Sequence, residues 1–264
     1  MTILDRLAEL KYRNNLLYRI GLIHLILFFL LLGPLLLDPR EVMGINPWIK
    51  PMKFSLSIGI YAWTIGWMMF DLPNSRRWIR ALSLLIGGTM LVEIVVILYQ
   101  ASRAVPSHFN MSTAFDSILF GIMGIMILAN TIAVIIILVL YFVKKPVLDP
   151  AYLMAVRIGL VIFLVSSYIG KMMVDNLAHS VGGEDGGAGL PFVNWSTEFG
   201  DLRVAHFLGL HALQLIPLFA YALKVRTNLA PKTRTYLTVL FAIGYAALFS
   251  LLYSQAIRGE PLLG

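Results

Sequence analysis

DSILFGIMGIMILANTIAVIIILVLYFV, residues 116–143, carries a single charged residue, Asp116, at its first position. A helix rises about 1.5 Å per residue and a bilayer core is about 30 Å thick, so about 20 apolar residues cross it. This run is long enough. Six others accompany it, at 16–37, 52–71, 80–99, 153–174, 203–224 and 235–256. The reading is an all-α, polytopic membrane protein, a bundle of seven transmembrane helices forming one transmembrane domain over residues 1–264. Gly33-Pro34 and Pro39 end the first span, and Pro217 predicts a kink in the sixth. Composition agrees: 59% of residues are hydrophobic, 13% are charged and the mean hydropathy is +0.81. Soluble domains carry about 25% charged residues.

The net charge of +7 would hint at nucleic acid in a soluble protein. Here the 21 Lys and Arg residues lie at the ends of apolar segments, 14 on one side of the expected membrane and 7 on the other. The richer side is expected to be cytoplasmic, which puts the N-terminus inside and the C-terminus outside. No basic run interleaved with aromatics points to nucleic acid. Cysteine is absent, which removes disulfides, thiolate metal sites and cysteine nucleophiles. Residues 1–15 are too polar for a signal peptide, and 5–13 read as a short amphipathic helix on the cytoplasmic membrane surface.

The inner connections are short and basic, and the outer ones are longer. The outer loop 175–202 contains Gly-Gly-Glu-Asp-Gly-Gly-Ala-Gly-Leu-Pro at 182–191, and reads equally as a flexible linker or as a binding loop. No Gly-Lys-Ser/Thr follows, so it is not a phosphate-binding loop of the Walker type. Asn110-Met-Ser and Asn194-Trp-Ser are weak glycosylation signals. There is no clear internal repeat.

Ionisable residues inside spans are costly and mark function. Glu93 lies seven residues before Gln100, roughly 10 Å below the outer end of its span. His211 lies eight residues past Arg203, roughly 12 Å deep. Arg203, His206, His211 and Gln214 fall within one arc of about 140°. Lys53, Ser57 and Thr64 share a face, as do Asp116 and Asn130. Lys171 and Asp175 stand at i, i+4 and are suited to pair. Such stripes are expected to converge on a pocket open to the periplasm. His206 and His211, five apart, point about 140° from each other, and the His-x-x-x-His spacing of a zinc helix is absent. His108 sits in Pro106-Ser-His-Phe-Asn110 over the expected pocket. His24 reads as a packed or hydrogen-bonded histidine nearer the cytoplasmic side.

Three segments carry a resemblance: Asn46-Pro-Trp-Ile-Lys-Pro-Met-Lys-Phe-Ser55; Gln100-Ala-Ser-Arg-Ala-Val-Pro-Ser-His-Phe-Asn110; and Gly189-Leu-Pro-Phe-Val-Asn-Trp-Ser-Thr197 leading to Gly200-Asp-Leu-Arg-Val-Ala-His-Phe-Leu-Gly-Leu-His-Ala-Leu-Gln214. With them the chain resembles a family of uncharacterised bacterial seven-helix integral membrane proteins. The resemblance implies the bacterial inner membrane and no activity. The seven-helix hydrolases and receptors related to alkaline ceramidases match poorly, because their paired histidines lie in the last helix. A retinal protein would need a lysine midway along the seventh span, and none is there.

The expected functions are three. One is a metal-dependent enzyme acting on a lipid or small amphiphile that enters from the outer side. Glu93 and His211 would be catalytic, and Lys53, Gln100, Lys171, Arg203 and Gln214 would bind substrate. Glu93, His108, His206 and His211 would ligate zinc, iron or manganese. Haem is disfavoured, since His24 and His211 differ in depth. The second is a transporter or channel for a small anion or proton-coupled solute, with Glu93 and His211 carrying protons. The third is a ligand-binding protein without chemistry.

Overall fold

The computed structural model describes residues 2–263. Its helices are α1 (Ile3–Arg13), α2 (Asn15–Leu30), α3 (Leu32–Leu37), α4 (Ile49–Met69), α5 (Arg76–Ser102), α6 (Ala114–Val143), α7 (Pro150–Asn176), α8 (Leu202–Arg226) and α9 (Pro231–Ile257). A two-residue strand β1 (Ser180–Val181) pairs antiparallel with β2 (Gly200–Asp201). The chain divides into two compact units, residues 1–137 and 138–264, with the division inside α6.

Six helical stretches are long and apolar enough to cross a membrane: Asn15–Leu37, and the whole of α5, α6, α7, α8 and α9. Helix α4 has 21 residues but is not among them, although a span is expected at 52–71. Its composition explains why. It carries Lys50 and Lys53 near its start, which lower hydropathy most, and it buries Ser55, Gly59, Ala62 and Gly66 against its neighbours, small residues that allow close packing. The other long helices leave large apolar side chains such as Ile118, Ile125, Val139 and Leu251 exposed, as lipid-facing surfaces require.

In the first unit, α2 packs chiefly on α4, and α5 on both. Gly59 brings the backbones of α4 and α2 together: a Cβ there would lie 3.3 Å from the Gly21 carbonyl oxygen and 3.7 Å from the His24 Cβ. Trp63 donates from Nε1 to the Tyr18 carbonyl at 3.0 Å and stacks on the Tyr18 ring. Asn14 ends α1 and starts α2. Its Oδ1 accepts from the Leu17 amide at 3.1 Å, and its Nδ2 donates to Ser83 Oγ of α5 at 2.8 Å. The expected amphipathic helix is present as α1, opened by a capping box between Thr2 and Asp5. It does not lie free. Arg13, near its end, pairs with Asp71 at 3.1 Å and sits over the Trp67 ring.

In the second unit, α7 and α8 meet along small residues. Ala151, Ala155 and Gly159 recur every fourth position on α7; Gly159 meets Ala212 of α8, and Ala151 and Ala155 share a buried cluster with Ala212, Ile216 and Ala220. A Cβ on Gly159 would stand 2.9 Å from the Ala212 carbonyl oxygen. Helix α8 is helical on both sides of Pro217. Asp149 caps α7 and accepts from Arg234 of α9 at 2.7 Å.

The loop 177–201 of this unit is a built structure rather than a linker. Its ends pair through β1 and β2, and Gly200 lies so close to the Ala256 carbonyl that any side chain would collide. Asp185 accepts from the backbone amides of His179 and Ser180 and from His179 Nδ1 at 2.6 Å. Burial alone would push the Asp185 carboxyl up, but the hydrogen bonds from His179 and Ser180 outweigh it and hold it well below the usual carboxylate range. Asp201 accepts from the Ser196 amide and from Arg203, whose guanidinium also donates to the Asn194 carbonyl.

Candidate functional site

The first unit holds the most unusual side chain. Glu93 of α5 is 2% exposed, and neither carboxyl oxygen has a hydrogen-bond partner among the described residues. Lys50 of α4 acts on it electrostatically without hydrogen-bonding it. An ionised carboxylate in that position costs several kcal/mol unless a cation or proton joins it.

Two more buried polar atoms without partners lie on the helices beside it. Ser55 of α4 is fully buried and its Oγ is unpartnered. His24 of α2 is fully buried, with Nδ1 on the Ile20 carbonyl at 2.8 Å and Nε2 unpartnered. The His24 Cβ lies beside Gly59 of α4, and the ring approaches the Met90 backbone of α5. Ser55 is one turn from Gly59, and Glu93 is three residues from Met90. Since α4 and α5 run in opposite directions between the same two ends, both steps lead the same way, toward Lys50. Each is roughly 5 Å. His24 therefore lies below, with Ser55 and Glu93 about a turn above it and Lys50 above them. The inward serine is thus Ser55. Ser57, the expected one, stands two residues and about 200° round the helix, where it is exposed.

The other expected groups of this unit serve a closed network or a packed cluster. Gln100 is fully buried, donates to Asp116 at 2.8 Å and accepts from Arg103 at 2.7 Å. Arg103 also holds Asp116 at 2.6 Å, and Thr113 donates to it at 2.6 Å. The hydrogen bond to Asp116 keeps the Arg103 guanidinium firmly protonated. His108 lies among Phe54, Phe109 and Phe120, with Nδ1 3.0 Å from Ser107 Oγ. Lys53 is half-buried on α4. Asn130 of α6 accepts from the Tyr61 hydroxyl at 3.0 Å.

In the second unit, His206 Nδ1 is 2.7 Å from the Ser166 carbonyl, and Ser166 Oγ donates to the His206 carbonyl at 2.7 Å. His179 is near enough to His206 to interact with it electrostatically. His211 is half-buried, with its ring edge-on against Phe207 and centroids 4.4 Å apart. Trp195, in the loop before α8, packs edge-on against Phe207. Arg203 is engaged with Asp201 and Asn194. Lys171 pairs with Asp175 at 2.6 Å as the spacing predicts, and both side chains are exposed, at 62% and 57%.

The expected metal set is not assembled. Among the described residues no three His, Asp or Glu side chains come together as a group able to hold a metal ion. Glu93 and His108 belong to the first unit, His206 and His211 to the second. Within α8, the five-residue spacing turns the two histidines apart, and Ser166 already takes one nitrogen of His206.

Sequence reasoning read His24 as a packed or hydrogen-bonded histidine, as it is, and passed over Ser55 and the His179–Asp185 pair. The signal for His24 was Gly21 and Gly59, small residues that bring α2 against α4 beside it. Compared with family models, curated proteins and solved structures, the chain matches none.

Proposed function

We propose that this integral membrane protein is a transporter of the proton-linked class, and that Glu93 is its proton-carrying group. One observation carries the reading: a carboxyl 2% exposed with both oxygens unpartnered, on α5, which packs against α2 and α4. Structural carboxylates in the same protein look different. Asp116, Asp185 and Asp201 each accept three or more hydrogen bonds. Carboxyls inside spans that alternate between a proton and a cation are the working parts of proton relays. Lys50 supplies a fixed positive charge toward which the deprotonated form is drawn.

In this reading α4 is the seventh span, its polar residues facing its neighbours instead of lipid. The asymmetry of Lys and Arg puts the N-terminus inside and the C-terminus outside, and the resemblance to bacterial seven-helix proteins supports the bacterial inner membrane. The metal-dependent enzyme is the weaker reading, because its ligands are not gathered among the described residues.

The test is proton uptake into liposomes containing the purified protein and an internal pH dye, driven by an imposed membrane potential. Wild-type protein should exceed protein-free liposomes, and Glu93→Gln should fall at least tenfold toward them. Equal uptake by wild type and Glu93→Gln would overturn the assignment of Glu93.

A further inference from the structure

We propose that the first half of α5 binds one anionic phospholipid, with the phosphate held by Arg77 and Arg80 and an acyl chain lying in a notch at Gly88. This site stands apart from Glu93 and from proton transport.

The charges at this end of the unit are unbalanced. Arg76, Arg77 and Arg80 are exposed, and none has an ion pair or side-chain hydrogen bond among the described residues. Most arginines of the protein behave otherwise. Arg13, Arg40, Arg103, Arg203, Arg234 and Arg258 each hold a carboxylate. The carboxylates nearest in the chain are already engaged. Arg13 holds Asp71 at 3.1 Å and Glu9 at 2.9 Å, and Asp5 accepts from the Thr2 amide at 2.7 Å. Like charges one turn apart repel, so the three guanidiniums form a positive patch without a protein counter-charge. A guanidinium takes a phosphate with two parallel hydrogen bonds.

The face below the arginines marks the ligand as a lipid rather than a soluble phosphate. At about 100° per residue, Leu84, Gly88 and Val95 fall within about 20° of the line through Arg77. All three are exposed on a helix apolar and long enough to cross a membrane, so this line meets acyl chains. Arg80 stands one turn before Leu84 on the same side. Gly88 leaves a gap in the line. A Cβ there would have nothing within 4 Å, whereas one on Gly87 would stand 3.2 Å from the Ile20 side chain. Gly87 is small for packing, and Gly88 is not. From Arg77 to Gly88 the helix rises roughly 16 Å, about half of a bilayer core about 30 Å thick, which is the depth of one leaflet. Trp78, exposed beside Arg77, suits the headgroup level, where indole rings collect. Arginines that only oriented the chain would need charge at this end and no gap beneath it.

The test is native mass spectrometry of the delipidated full-length protein in detergent, titrated with phosphatidylglycerol or phosphatidylcholine. Wild-type protein should bind one phosphatidylglycerol at least about tenfold tighter than phosphatidylcholine. Arg77→Gln with Arg80→Gln should abolish that preference. Gly88→Leu fills the notch without altering charge and should weaken phosphatidylglycerol binding by roughly threefold or more. Lys224→Gln with Arg226→Gln, at an exposed basic pair of the second unit, should leave it unchanged. Thermal melting checks folding, and Gly88→Leu decides the matter if the arginine variant does not fold. Equal affinity of wild type for the two lipids overturns the site. An equal loss in the Lys224 and Arg226 variant overturns it too, since net charge alone would then explain the binding. Unchanged binding in Gly88→Leu overturns the acyl-chain notch. Inorganic phosphate that displaces phosphatidylglycerol at equal concentration would make this a bare phosphate site and overturn the lipid.

Discussion

At the scale of single residues, Glu93 poses a question that stability measurements can answer. A buried polar group without partners lowers stability by about 1–3 kcal/mol. If Glu93 is kept for proton traffic, its removal should relieve that cost. Glu93→Met, which keeps the side chain long and flexible, is expected to raise the melting temperature in detergent by a few degrees while abolishing proton uptake. A fall in melting temperature would mean that Glu93 holds the bundle together, and the structural reading would win. Gly159 makes the opposite case. A methyl group there meets the Ala212 backbone at 2.9 Å, and a helix backbone cannot step aside as a flexible side chain can. Gly159→Ala should destabilise by about 1–3 kcal/mol, measured as a lower melting temperature. An unchanged value would show that α7 and α8 are loosely packed.

At the scale of elements, the helices were legible and the loop was not. Apolar runs give span positions directly, because lipid demands length and composition and little else. The closeness of α7 and α8 was also written in the chain, as Ala151, Ala155 and Gly159 at four-residue spacing, though hydropathy alone passes over it. The loop 175–202 resists such reading because its order comes from long-range hydrogen bonds to Asp185 and Asp201, which no local pattern reveals. Glu93 is buried, as an ionisable residue within a span is expected to be, yet the sequence could not say which serine of α4 turns inward. One residue of phase error moves a side chain by about 100° around a helix. The Asp185 clasp makes its own prediction. A carboxyl held below its unfolded value near 3.9 adds stability that is complete above that pH and lost as acid titrates the folded carboxyl. The loop should therefore stay ordered at neutral pH and open in strong acid. Asp185→Asn should open it at neutral pH, seen as faster amide hydrogen exchange at His179 and Ser180. Equal protection in wild type and variant would assign the loop's order to the β1–β2 pairing alone.

At the scale of the whole molecule, the open question is the number of crossings, and it turns on α4. If α4 spans the membrane, the chain crosses seven times and its two ends lie on opposite sides. If α4 stays on one side, six crossings return the C-terminus to the side of the N-terminus. The absence of cysteine makes the experiment clean, since every introduced thiol is the sole target of a maleimide that cannot cross the membrane. Asn74, in the turn between α4 and α5, and Arg40, before α4, are exposed and bracket the doubtful segment. In intact cells, Arg40→Cys and Glu184→Cys should label, while Lys11→Cys, Asn74→Cys and Lys232→Cys should label only after permeabilisation. The buried polar layer gives a physical reason to expect this pattern. Lys50 lies at one end of α4 and Arg13 pairs with Asp71 beyond the other, so charged groups flank an interior that holds Ser55 and Gly59. A helix with charge at both ends and small residues between is suited to cross a membrane inside a bundle. Labelling of Asn74→Cys from the same side as Arg40→Cys would leave α4 on one surface. The Glu93 site would then open to water there, and a proton path across the membrane through it would be impossible.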